Sequence, residues 1–300
     1  MAATSSADLA VVVPARNEEG RIGGCLESIL AQDVIVQVFL SNNGSVDRTL
    51  ERAAPYGDRL DLVTRTVDSL LPTEHFVSAA RWALAQSDAP YFAYLAGDDT
   101  WAPGFAQAGL SALATSPEAS VAYPTFIGPD RERPLHMRPT SFMSPRSRVR
   151  RAKALLMPDS RKFPNLVYGI YRREAFADLA DAWESAGDRY GSDFAAAWSL
   201  LKRHRVVPAE RAVNFRHERR DVDLLEGIGV GRTGREGLLG QARLFVTVYV
   251  RVNGALGRAL LEVEPGRPTW LPPMVQAARA PGLVWDAAVQ TRDRLAAQRR

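Results

Sequence analysis

From Leu9 to Pro14 the chain reads LAVVVP, an apolar run of strand length with polar neighbours on both sides. A run without polar breaks fits a strand buried on both faces rather than one half-exposed. Over Gly20–Gln32 the pattern changes, with Ile22, Leu26, Ile29 and Leu30 at helical spacing. The alternation then repeats. Val34–Leu40 predicts a second strand ending at the turn signal SNNGS, Asp47–Ala54 a helix, Leu60–Arg65 a third strand and Phe76–Gln86 a helix. Tyr91–Leu95 predicts a fourth strand that stops at GDD, followed by a helix over Pro103–Ala114 and a strand over Val121–Phe126. A strand at Leu166–Tyr171 precedes a helix from Arg173, and a further helix runs over Asp193–Arg203. Strands alternating with helices predict an α/β chain with a mostly parallel, Rossmann-like sheet and a mixed edge.

Two segments fall outside this rhythm. Arg131–Lys162 is proline-rich and aperiodic, a long loop with one short helix around Val149–Leu156, and loops of this length are often lids or binding segments. Beyond Val222, glycines cluster at GIGVGRTGREG, and a long helix follows over Leu238–Val263. Leu238, Ala242, Phe245, Tyr249, Val252, Leu256 and Leu260 share one face of it, opposite Arg243, Thr247, Arg251 and Arg258. That face either packs on the main domain or serves as a basic amphipathic surface for a membrane or a second subunit. Arg243, Arg251 and Arg258 break the segment as a membrane span.

Composition narrows the class. Of 300 residues, 46% are hydrophobic and 24% charged, as in ordinary soluble globular domains. One cysteine, Cys25, excludes an internal disulfide, and its place on an apolar helix face makes it core. MAATSSADLA lacks the charged and apolar regions of a signal peptide, so the expectation is a cytoplasmic protein with a short disordered start over residues 1–8. The net charge of +4 is unevenly spread: Arg131–Arg173 holds twelve Lys/Arg against two acidic residues. Such a block suits an anionic partner such as phosphate, a lipid headgroup or an acidic glycan, with peripheral contact at the inner membrane face as one form of it; the alternative is a solvated surface. Nucleic acid fits poorly, because no stacking aromatics interleave the block.

Candidate chemistry follows from the strands. In a parallel sheet, ligands bind at the carboxyl ends of strands. Pro14-Ala15-Arg16-Asn17-Glu18 follows strand one, Ser41-Asn42-Asn43-Gly44-Ser45 follows strand two, and Gly97-Asp98-Asp99-Thr100 follows strand four. These loops should converge at one edge. Adjacent carboxylates at a buried strand end repel unless a cation joins them, and hard divalent ions take one or two carboxylates plus substrate phosphates. The competing reading of Asp98-Asp99 is a cap for the next helix. PARNE has no glycine before Gly20, and no GxxxxGK[ST] occurs, which argues against a dinucleotide fold or a P-loop and towards metal-held phosphates. His75, His136 and His204 show no metal spacing.

LAVVVPARNEEGRIGGCLESILAQ resembles the opening of family 2 glycosyltransferases, which share the pattern VxVVIPxxNEExxIxxCLxSLLxQ. LSNNGSVDRTL resembles that family's second motif, and YFAYLAGDDTWAPGF its metal motif, usually a strand ending in DxDD or xDD. NLVYGIYRREAF resembles the acceptor-side strand and turn, and DRYGSDFAAAWSLLKRHRVVPAERAVNFRHERR the closing region. Together these motifs cover residues 9–220 in the family's order.

The resemblance implies an A-type (GT-A) catalytic domain over 9–220, with a donor half over 9–126, an acceptor half over 127–220 and a helical extension over 221–300. It implies an inverting glycosyltransferase that moves a sugar, of hexosyl type, from a nucleoside-diphosphate donor to a hydroxyl of a glycan, glycolipid or natural product, using Mn²⁺ or Mg²⁺. Pro14, Ala15, Arg16 and Glu18 would line the nucleotide pocket. Asn42 and Asn43 stand where the family recognises the base, commonly through a carboxylate. An amide both donates and accepts, which leaves the base open. Asp98 would meet the ribose or the metal, Asp99 would ligate the metal, and His217 would reach the metal or the diphosphate. Ala96 stands where many relatives carry the first Asp of the motif. Asp193 would be the general base, and Trp101, Gly169 and Arg172 would lie on the acceptor side. Plainer readings stand beside these: Asp193 as a helix-dipole partner, His217 in an exposed basic turn, and Arg16 pairing with Glu18. Two rival classes are a non-catalytic nucleotide-sugar-binding protein of the same fold and a nucleotidyltransferase.

Overall fold

The computed structural model describes residues 7–57, 59–127, 164–187 and 192–214. The Arg131–Lys162 loop, His136, His217, the glycine cluster and the helix expected over 238–263 lie outside them. The strands are β1 (Leu9–Ala15), β2 (Val36–Asn43), β3 (Asp61–Val67), β4 (Tyr91–Tyr94), β5 (Thr100–Trp101), β6 (Val121–Ile127), β7 (Ile170–Arg172) and β8 (Val206–Asn214). The helices are α1 (Ile22–Leu30), α2 (Thr49–Ala53), α3 (Pro72–Gln86), α4 (Phe105–Thr115), α5 (Arg173–Ala186) and α6 (Ser192–Arg203).

All eight strands join one sheet in the order β3-β2-β1-β4-β7-β6-β8-β5. β3, β2, β1 and β4 are mutually parallel. β7 runs antiparallel between β4 and β6, β8 is parallel to β6, and β5 closes that side antiparallel to β8. This is the mostly parallel sheet with a mixed side that the alternating pattern predicts. β1 is central and every one of its residues is buried. Helices on both faces exclude water there, which is why its sequence carries no polar alternation. At the edge, β3 alternates exposed and half-buried residues.

An aromatic cluster fastens α3 and α5 to the sheet. Phe92 stacks on Phe176 at 5.3 Å, Tyr94 meets Phe176 at 4.8 Å, and Trp183 meets Phe76 at 5.3 Å. Each fully buried ring of this kind stabilises the fold by about 1.5–3 kcal/mol. Burial also pushes the Tyr94 hydroxyl far above the ordinary phenol range, and that hydroxyl donates to Phe76 O at 2.9 Å.

Three sequence expectations are corrected. The strand expected at Leu166–Tyr171 is a 3-10 turn over Pro164–Tyr168 followed by the short β7. Gly169 sits between them because a Cβ there would stand 2.9 Å from both Ala122 O and Val121 Cγ1. Helix α3 begins at Pro72, four residues before Phe76: a proline in the first turn needs no hydrogen-bond partner for nitrogen, and the Glu74 carboxylate accepts from Leu71 N–H at 3.3 Å. β5 was not expected, since two residues carry no periodic signal.

Candidate functional site at the carboxyl ends of the strands

β1 ends beside β2, with Pro14 paired to Ser41 and Ala15 to Asn42. The chain leaving β4 stays alongside β1, as Leu95 N–H donates to Val12 O at 3.0 Å and Gly97 N–H to Pro14 O at 3.1 Å. Glycine is required at 97, where a Cβ would lie 2.9 Å from Ala15 Cβ and 3.3 Å from Glu18 Cγ. The Gly97-Asp98-Asp99 loop therefore presses onto the end of β1. Asp99 is 0% exposed and Asp98 9%.

The first two loops are sewn together. Asn17 takes a left-handed backbone (φ 56°), which asparagine tolerates better than most residues. Asn17 N–H donates to Ser45 Oγ at 2.9 Å, and Val46 N–H to Asn17 Oδ1 at 3.0 Å. Glu18 N–H donates to Thr49 Oγ1 at 2.7 Å, and Glu19 N–H to Asp47 Oδ2 at 3.0 Å. Burial works to raise the Asp47 carboxyl, but hydrogen bonds from the Thr49 hydroxyl and from the Glu19 and Thr49 N–H groups outweigh it and hold the carboxyl below its usual range. Turn formation over 16–21 is also why α1 starts at Ile22, not Gly20.

Helix α1 braces the third loop from below. Gln32 Nε2 donates to Ala102 O at 3.2 Å, Gln32 Oε1 accepts from Ala106 N–H at 3.0 Å, and Ser28 Oγ accepts from Trp101 N–H at 3.1 Å. The Cys25 thiol lies 3.5 Å from Ala96 O. Burial pushes this thiol well up, and the charges of Asp99, Asp98 and Glu18 push it further.

Among the described residues no three His, Cys, Asp or Glu side chains form a closed metal cage. Two adjacent buried carboxylates at a strand end instead fit a hard divalent cation that completes its shell with water and substrate phosphates. The Asp98–Asp99 pair and its negative surroundings suit Mn²⁺ or Mg²⁺ in that manner.

The sequence-predicted residues fall into three groups. Pro14, Ala15, Arg16, Glu18, Asn42, Asn43, Asp98 and Asp99 come together at this edge. Arg16 is exposed, and Glu18 pairs with Arg21 at 3.0 Å. Asn42 is 2% exposed, its Nδ2 3.3 Å from Thr66 Oγ1 and its Oδ1 3.3 Å from Ser45 N. Asn43 spends both ends of its amide on the Leu70 backbone, at 2.9 and 2.7 Å. Asp193, in the first turn of α6, belongs to the same edge, because its neighbour Ser192 contacts Thr73 at the start of α3.

Arg172 does not come to this edge. β7 is antiparallel to β4 and pairs Arg172 with Tyr91, the first residue of β4. Its guanidinium donates to Ala119 O and Leu113 O, each at 2.9 Å, and stacks over Tyr91. Gly169 is explained by close packing rather than by an opening to ligand. Trp101 is 3% exposed and packs on Phe105 at 4.8 Å, so its ring face is no platform for a sugar. Its indole N–H has no hydrogen-bond partner among the described residues.

Other residues here carried no sequence signal. His75 is 4% exposed and lies 3.0 Å from both Ser41 O and Ser41 Oγ. Burial, with Arg65 and Arg16 nearby, pushes its pKa down to about 4. Arg65 reaches Ser41 Oγ at 3.1 Å and Ser78 Oγ at 2.9 Å and stacks over Trp82. Thr73, Trp183 and Ser192 form a buried trio.

The family description "Glycosyl transferase family 2" matches residues 10–179. The 4,4'-diaponeurosporenoate glycosyltransferase of Staphylococcus aureus is 51% identical over 49 residues, 16% of this chain and 13% of that enzyme. The match thus spans about an eighth of that relative. Solved structures of S. aureus TarS residues 1–349 superpose along most of both chains. The complex with UDP gives a TM-score of 0.53 at 15% identity, covering 96% of this chain and 92% of that one. The complex with UDP-GlcNAc gives 0.53 at 17% identity with the same coverage. At such identity the likeness is one of fold.

Proposed function

The chain belongs to glycosyl transferase family 2, and on that premise we propose that it transfers a hexose from a nucleoside diphosphate to an acceptor hydroxyl with inversion. The observation that carries this reading is the pair of buried carboxylates, Asp98 at 9% and Asp99 at 0% exposure, set against the end of β1 at an edge that also receives Ser192–Asp193. Pro14, Ala15 and Arg16 flank the nucleotide, and buried Asn42 meets the base. Asp98 and Asp99 would hold Mn²⁺ or Mg²⁺, which would supply positive charge for a departing diphosphate. Asp193 accepts the proton of the acceptor hydroxyl as its oxygen bonds to the anomeric carbon. The bond from that carbon to the diphosphate oxygen breaks on the opposite side, and its electron pair leaves with the diphosphate.

S. aureus TarS binds UDP and UDP-GlcNAc in the solved structures, which supports testing uridine donors first. The Arg131–Lys162 block supports an anionic acceptor, a glycolipid or acidic glycan among them, and peripheral contact with a membrane surface. No helix among the described residues is long and apolar enough to cross a membrane. Turnover by Asp193→Ala tests the mechanism. Loss of the base lowers kcat by about 10²–10⁴-fold while nucleotide binding persists. Wild-type turnover in that variant would contradict the assignment.

A further inference from the structure

Resting on Asp193 as the base, we infer that Ser192 is a positioning residue, through which the donor side of the fold sets where the base stands. Ser192 is 4% exposed. Its Oγ lies 3.1 Å from Trp183 Nε1 and 3.1 Å from Thr73 Oγ1. An indole N–H only donates, so Ser192 Oγ accepts from Trp183. Its own hydrogen is then available to Thr73 Oγ1, since a hydroxyl donates and accepts at once.

Both partners are themselves fixed. Trp183 is 6% exposed and wedged between Phe76 at 5.3 Å and Tyr94 at 6.0 Å. Thr73 is the second residue of α3, and the loop before that helix is clasped by Asn43. Asn43 Nδ2 donates to Leu70 O at 2.9 Å, and Leu70 N–H donates to Asn43 Oδ1 at 2.7 Å. A run of contacts and short backbone therefore leads from the end of β2, through Asn43, Leu70 and Thr73, to Ser192. Asp193 is the next residue. Asn43 thereby acquires a role different from its neighbour Asn42: its amide is committed to the loop that places Thr73.

The arrangement answers a requirement of the reaction. The base must stand within hydrogen-bond reach of an acceptor proton while the anomeric carbon is placed by the donor site. Those two positions come from segments far apart along the chain, Asp98–Asp99 and Ser192–Asp193, and a misplacement of about 1 Å can cost about 100-fold. A fully buried hydroxyl tied to the donor half fixes one against the other.

The experiment measures nucleoside diphosphate released from UDP-, GDP- and dTDP-hexoses by the full chain with Mn²⁺, water serving as the acceptor whose proton the base takes. Ser192→Ala and Thr73→Val lower kcat by about 10- to 100-fold while donor KM and the calorimetric Kd for nucleoside diphosphate change less than about twofold. Ser192→Thr, which keeps the hydroxyl, recovers most of kcat. Trp183→Phe keeps an aromatic ring but removes the N–H together with part of the indole, so the trio is probed even if Ser192→Ala fails to fold; in the folded variant it too lowers kcat selectively. Unchanged kcat in folded variants overturns the inference, as does a fall in kcat matched by equal weakening of donor binding. Asp193→Ala is run alongside. If it is inactive while Ser192→Ala matches wild type, this inference alone falls. If it matches wild type, or the wild-type chain turns over no donor, the base assignment falls and takes the inference with it.

Discussion

The two edges of the sheet use charge in opposite ways. At the carboxyl ends of β1, β2 and β4, acidic and amide side chains gather, and Asp98 and Asp99 are buried side by side. At the other edge, the adjacent arginines where β7 ends and α5 begins are spent on backbone. Arg172 donates to Ala119 O and Leu113 O, behind α4, and Arg173 donates to Ser87 O and Leu84 O, at the end of α3. The last carbonyls of a helix have no partner within it and carry partial negative charge, so a cation there satisfies both needs. The aromatic faces of Tyr91 and Phe92 complete the two sites. An arginine near a family-like motif is therefore not evidence of a ligand until its edge is known.

The contrast can be broken experimentally. Arg172→Ala removes bonds to two carbonyls and one ring contact, and should destabilise the fold by about 3 kcal/mol. Nucleotide affinity per folded molecule should stay at the wild-type value. Chemical denaturation and calorimetry on one preparation check both. Affinity falling together with stability would return Arg172 to the functional edge.

His75 sharpens the comparison from the other side, since it is buried beneath the functional edge. Its folded pKa of about 4 lies below the ordinary histidine value of 6.5. Between those values the unfolded chain binds more protons than the folded one, so stability is full above about pH 6.5 and falls as the pH drops towards 4. The loss attributable to this ring between pH 6.5 and 4.5 is about 2 kcal/mol. Melting curves of wild type and His75→Gln across that range should show a shallower slope in the variant. Equal slopes would mean that the ring is protonated in the folded state.

What was legible in the sequence tracks how far its partners lie along the chain. LAVVVPARNE, VFLSNNGS and YFAYLAGDD each combine a strand and the loop after it, so contiguous residues announced both the element and its end. Adjacent parallel strands then bring those loops together without further information. Arg172 was misplaced because its edge depends on β7 being antiparallel, and three residues cannot reveal a direction. Trp101 was expected on the acceptor side because its burial depends on α4 and on β8, the latter more than a hundred residues later. The Ser192–Thr73 contact joins residues 119 apart, and the His75–Ser41 contact residues 34 apart. A lone serine before an acidic residue or a lone histidine in a helix has no spacing pattern to find.

The proposed donor site is the buried Asp98–Asp99 pair together with a divalent cation. Titration calorimetry of UDP, GDP and dTDP into the full chain, in Mn²⁺ and in EDTA, tests it most directly. Binding of one nucleotide in Mn²⁺, lost in EDTA and lost in folded Asp99→Ala, is the expected result. Binding that is equal in Mn²⁺, in EDTA and in Asp99→Ala, or no binding of any nucleotide with the metal present, would contradict it.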